Sequence, residues 1–176
     1  ISDFKIGKFS LNESLLNYFS KKELENNWND TKKTYLFPNQ DYFKFFFEDS
    51  LYDEIIIYTL RSDNSYTIKS ITGFRYFQNN IDGCYEEQVL LSKDLGDMFP
   101  NAKKEIFGPY SHAGDNTGES KEKDIIFILN DGNQAGIACL SWGKKYIEKY
   151  PWEVDHMQIF LDTKEYAFWL INKAYN

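Results

Sequence analysis

Few residues in this chain have types and spacing suited to chemistry. Histidine occurs only as His112 and His156, and cysteine only as Cys84 and Cys139. A Ser–His–Asp set can be assembled on paper from Ser111 or Ser141, His112 or His156, and Asp115 or Asp155. No nucleophile elbow or other positioning motif accompanies it. Asp155 and His156 are adjacent, so on a strand they point to opposite faces and cannot form a dyad. The acid–base candidates are therefore His112 with Asp115 or Glu119 in one polar loop, and His156 apart from them. Asp115-Asn-Thr-Gly-Glu119 gathers oxygen ligands around a glycine but lacks the alternating acids and distal bidentate Glu of a calcium loop. Zinc spacings are missing too, so the sequence assigns no metal and no cofactor. Trp142, Tyr146, Tyr150 and Trp152 cluster around Gly143 and Pro151. Such aromatics form either a platform for a sugar or peptide, or the apolar cap of a sheet end.

The elements that must position these residues are organised around 123–142, which reads as a β-hairpin. Ile125, Phe127 and Leu129 fall on one face of its first arm, and Ile126 and Ile128 on the other. Asp131-Gly132 supplies the turn, because Gly tolerates positive φ and Asp bonds its own backbone. The return arm puts Ile137 and Cys139 on one face and Ala138, Leu140 and Trp142 on the other. Arms apolar on both faces need cover on both sides.

The N-terminal region carries two capping boxes, Ser10 with Glu13 and Ser20 with Glu23, predicting two short helices that meet near Phe19. Strands are expected over 41–48, 54–61 and 66–77, with Gly73 as a bulge or bend in the third. Residues 80–99 repeat apolar positions at helical intervals, with Cys84 on the inner face. Residues 105–107 read as a short strand, and 108–122 as an exposed loop rich in Gly and small polar residues. A strand over 153–161 and a helix opened by Asp162-Thr-Lys-Glu165 finish the chain. The order ααβββα(β)βββα predicts an α+β fold: an antiparallel sheet of about six strands with helices packed on its faces. A chain of 176 residues reads as a single α+β domain, 1–176, with pseudo-halves at 1–100 and 101–176.

Composition excludes some functions. The net charge is −7, and no basic run exceeds two residues. A nucleic-acid binder needs a basic stripe, so nucleic acid is not an expected partner. No apolar run reaches bilayer length, so no transmembrane segment is expected. Aromatics make up 18% of the chain, enough to fill a sheet core or line a binding face. Cys84 and Cys139 form a bridge if the middle helix packs on the Cys139 face; the alternative is two separate buried thiols. The lack of a C-x-x-C spacing argues against a redox-active pair.

The N-terminal run FKIGKFSLNESLLNYFSKKEL, with CYEEQ, the hairpin and DTKEYAFWL, resembles a family of small exported bacterial proteins of unknown function. The resemblance implies an envelope or periplasmic setting and favours the disulfide; the expected localisation is exported, periplasmic or extracellular, with a signal peptide removed. It brings no catalytic residue, ligand or substrate. The expected function is a secreted or periplasmic binding domain, non-catalytic, for an unknown protein or small-molecule ligand. Its candidate contacts are Trp142, Tyr146, Tyr150 and Trp152. The alternatives are a hydrolase with a His/carboxylate site near 108–122, and a structural subunit of an envelope assembly paired through a sheet edge.

Overall fold

The computed structural model describes residues 4–31, 37–78 and 80–175. Its elements are a short 3-10 turn (Leu15–Asn17), α1 (Lys21–Thr31), β1 (Tyr42–Phe47), β2 (Glu54–Leu60), β3 (Ile68–Tyr76), α2 (Ile81–Met98), β4 (Lys103–Ser111), β5 (Lys121–Ile128), β6 (Gln134–Ser141), α3 (Lys144–Lys149), β7 (His156–Asp162) and α4 (Lys164–Asn172). The α+β class and the antiparallel sheet stand as expected. The strand count and element order differ from expectation: seven strands run β1-β2-β3-β7-β6-β5-β4, with α3 between β6 and β7. Among the described residues no helix is long and apolar enough to cross a membrane.

The chain divides into two compact units, Ile1–Gly73 with Phe160–Asn176, and Phe74–Ile159. In the first unit β1 and β2 pair antiparallel, with Phe43, Phe45 and Phe47 opposite Thr59, Ile57 and Ile55. Period-two alternation puts these phenylalanines on one face. There they meet Tyr66, Trp28 and the Phe9–Phe19 cluster. Tyr42 and Tyr58 turn to the other face and pack on Tyr166 of α4.

The helix expected from the Ser10 box does not form. Residues 12–15 run instead alongside 66–68, with Asn12 N–H donating to Ile68 O, Ile68 N–H to Glu13 O and Leu15 N–H to Tyr66 O. Asn12 sits at φ 65°, and Ser14, not Ser10, caps the short turn by accepting from Leu16 N–H. The Ser20 box forms as expected: Glu23 accepts from Ser20 N–H at 2.7 Å and Ser20 Oγ accepts from Glu23 N–H at 3.3 Å. Gly73 lies within β3, where a Cβ would strike the Tyr52 ring at 2.4 Å, so it serves close approach. At α4 the cap is Thr163, which accepts from Tyr166 N–H; Asp162 is the last, buried residue of β7.

In the second unit α2 covers one face of the β5–β6 hairpin. Cys84 and Cys139 are bonded across this contact, with Cα atoms 6.1 Å apart. One turn on, Gln88 donates to the carbonyls of Lys123 and Ile137. Ile125, Phe127, Ile137 and Cys139 are buried on this face, and Gly132 takes φ 85° in the turn. The first hairpin arm extends further than expected, β5 starting at Lys121, two residues before 123.

Candidate functional site

The largest departure from the sequence reading lies next to the hairpin. Residues 105–107, expected as a short strand, belong to the nine-residue strand β4, and the expected loop 108–122 lends its first four residues to β4 and its last two to β5. Among the described residues β4 pairs only with β5 and forms an edge of the sheet. Every residue of β4 except Glu105 is exposed. Ile106, Phe107 and Tyr110 are 61%, 44% and 40% accessible.

The Gly108-Pro109 pair that suggested a loop is an irregularity inside this strand. Phe107 faces Asp124 and Tyr110 faces Glu122, so three steps on β4 match two on β5. The extra residue restores Tyr110 to the face that Phe107 occupies; strict alternation would have turned it away. Gly108 holds φ 86°, and a Cβ there would lie 2.4 Å from the Glu122 carbonyl oxygen, so no other residue fits.

Alternation along Lys121-Glu122-Lys123-Asp124 separates charge by face. Lys123 turns toward α2, its ammonium 4.9 Å from the Tyr85 ring centre, and Lys104 likewise lies 5.3 Å from that of Phe127. Glu122 and Asp124 turn to the opposite face, beside Phe107 and Tyr110. The Tyr110 hydroxyl donates to Asp124 Oδ2. Asp124 Oδ1 is buried and has no hydrogen-bond partner. Burial, and then the charge of Asp124, push the Glu122 carboxyl up to about 7, and burial raises Asp124 as well. Burial and the bond to Asp124 hold the Tyr110 phenol far above its ordinary value.

His112 follows directly after β4. Its Nδ1 accepts from Gly114 N–H at 3.1 Å, so its other nitrogen carries the proton and faces Glu122 Oε2 at 3.8 Å. That separation is too long for a hydrogen bond. Burial depresses the imidazole, so it is neutral at pH 7. The two acids proposed for it are engaged elsewhere. Asp115 accepts from Thr117 and Ser120, through both backbone and hydroxyl, and the Ser120 hydroxyl foremost holds its carboxyl well below the usual range. Glu119 pairs with Lys145 at 2.7 Å, and Ser120 Oγ accepts from Gly143 N–H. These bonds tie the 112–120 loop to the start of α3.

His156 is buried in β7. Its Nδ1 lies 2.9 Å from Val154 O and therefore donates; its Nε2 lies 3.0 Å from Gln158 Nε2 and therefore accepts. Desolvation pushes it down to about 4. With both nitrogens committed, it has no free valence for proton transfer. Asp155 accepts from Trp142 N–H. The four aromatics form a ladder from interior to surface: Trp142 stacks on Tyr146 at 4.6 Å, Tyr146 meets Tyr150 at 4.7 Å, and Tyr150 meets Trp152 at 5.7 Å. Trp142 is buried and Trp152 is 70% accessible. Tyr146 and Tyr150 are half-buried between them, so of the four Trp152 is the most exposed.

Sequence reasoning missed Ile106, Phe107, Tyr110, Glu122 and Asp124. The signal for the last two was present, since alternating lysine and acid over 121–124 is a strand pattern. No family model matches the chain, and no curated protein and no solved structure is significantly similar to it.

Proposed function

We propose that this protein is a non-catalytic interaction domain that captures an extended polypeptide segment by strand addition along β4. The observation that carries this is the open outer side of β4, flanked by exposed Ile106 on one face and Phe107 and Tyr110 on the other. An edge strand turns alternate N–H and C=O groups outward, and another extended backbone can pair with such a row along its length. Apolar side chains on both faces then grip the added strand's own alternating residues. Lys103 and Lys104 stand at one end of the row and the Gly108-Pro109 irregularity interrupts it, which favours a short guest over open-ended self-association. The guest comes from a protein partner, so an assembly role and a binding role are one mechanism here.

The setting that fits this reading is an oxidising compartment outside the cytosol. The buried Cys84–Cys139 bond supports it, as does the sequence resemblance to exported bacterial proteins.

The test is a selection of displayed random peptides on the intact chain, with counter-selection on an Ile106→Ser/Phe107→Ser variant. Alternating, extended sequences should be enriched on the parent and lost on the variant. Recovery of the same peptides on both proteins would refute the site.

A further inference from the structure

The carboxylates beside the open edge extend this reading, and the extension rests on strand addition at β4. We infer that the captured segment is basic, with a lysine or arginine side chain received by Glu122 and Asp124.

Four observations converge. First, alternation sorts the charge: Lys104 and Lys123 turn toward α2, while Glu122 and Asp124 share the Phe107–Tyr110 face, where Lys103 of β4 is already paired with Glu105. A strand laid beside β4 aligns its side chains with both faces, so one set of its residues lies over the acids. Second, Asp124 is 7% accessible and its Oδ1 lacks a partner. A buried acceptor without a donor is costly, and an incoming N–H group relieves that cost. Third, among the described residues neither carboxylate has a lysine or arginine partner; only neutral His112 approaches Glu122. Their mutual repulsion is answered by a cation from outside. Fourth, the geometry selects the cation. β5 lies two strand spacings from an added strand, about 10 Å. A long Lys or Arg stem from the guest, meeting Glu122 reaching outward, spans that distance. Phe107 and Tyr110 border the path, and aromatic rings suit a passing cation. The net charge of −7 favours encounter with a basic segment.

The experiment measures fluorescence anisotropy of three labelled, amidated heptapeptides on the intact chain. Valine alternates in them with lysine, glutamine or glutamate. The lysine peptide should bind at least about tenfold tighter than the glutamine peptide, as expected for a close charge pair at an interface, and the glutamate peptide weakest. Glu122→Gln with Asp124→Asn should erase the lysine preference, so that the lysine and glutamine peptides bind alike. Glu122→Gln alone, the milder change, should reduce the preference if the double variant does not fold. Equal binding of all three peptides, abolished by Ile106→Ser/Phe107→Ser, would overturn the cation seat while keeping the strand site. A lysine preference that survives the carboxylate variants would also overturn the seat. Failure of every peptide to bind would overturn both.

Discussion

β1 and β4 are both edge strands rich in aromatic residues, yet their outer sides are finished differently. On β1 the side-chain amide of Asn27 copies a neighbouring strand: it donates to Phe46 O at 2.7 Å and accepts from Phe46 N–H at 3.1 Å. A helix residue thus claims backbone groups that would otherwise attract another chain. On β4 no equivalent device appears among the described residues, and the apolar side chains stand free. The two units also differ in their buried carboxyls. Asp162, in the first, is enclosed and bonded to Ser70, its Oδ1 is without a partner as in Asp124, and desolvation pushes it up to about 7. Glu122, in the second, reaches a similar value beside a second acid and next to an open edge. The contrast separates a closed edge at β1 from an open edge at β4 that has two acids beside it.

The largest effect should come from the covalent tie in the open unit. Replacing Cys84 and Cys139 with alanine removes a crosslink of sequence separation 55. The chain-entropy model gives a loss of about 4 kcal/mol. Denaturant unfolding of the variant, or of the reduced parent, should show that loss. An unchanged midpoint would mean that β5, β6 and α2 hold without the bond.

Next in size is Asn27→Ala, which converts the closed edge into an open one. Two bonds to half-buried backbone are lost, worth about 2 kcal/mol together. The variant should also self-associate on concentration, detected by sedimentation. A stable, monomeric variant would mean that Asn27 does not guard β1.

Smaller still are the titrations. The Glu122 carboxyl is raised in the folded chain, so the native state binds its proton more tightly than the unfolded one. Its contribution is complete below the unfolded carboxylate value and is lost as pH rises toward about 7. Glu122→Gln should therefore flatten the fall in stability between about pH 4.5 and 7. Asp162→Asn should act in the same direction from the other unit. Thermal melts across that range check both, and a parent-like slope in Glu122→Gln would contradict the assignment. The smallest effect on stability, within about 0.5 kcal/mol, belongs to Ile106→Ser/Phe107→Ser. That variant should lose binding and little else.

Much of the frame was legible because burial imposes period. The arms of the β5–β6 hairpin, the inner face of α2 and the Phe43–Phe45–Phe47 stripe each repeat at the interval of their element. That periodicity placed Cys84 and Cys139 on facing surfaces and left a bond or two buried thiols open; the structure has the bond. Local cap signals did less well. The Ser10 box lost to backbone pairing with 66–68, a contact between distant parts of the sequence. Asp162 resembled a cap but was taken into the sheet, one residue before the true cap at Thr163. The candidate site was hidden for a different reason. An edge strand has little burial and therefore little hydrophobic period, and Gly108-Pro109 breaks what remains of it. The histidines drew attention as chemistry, but the structure spends His156 on Val154 and Gln158 and holds His112 beyond hydrogen-bond reach of Glu122.

The most direct test of the open-edge account is amide hydrogen exchange on the intact chain, free and saturated with a selected peptide. The account predicts that amides within Lys103–Ser111 become protected on binding, while Tyr42–Phe47 exchange as before. Protection at Tyr42–Phe47, or at Trp152 with none on β4, would contradict it.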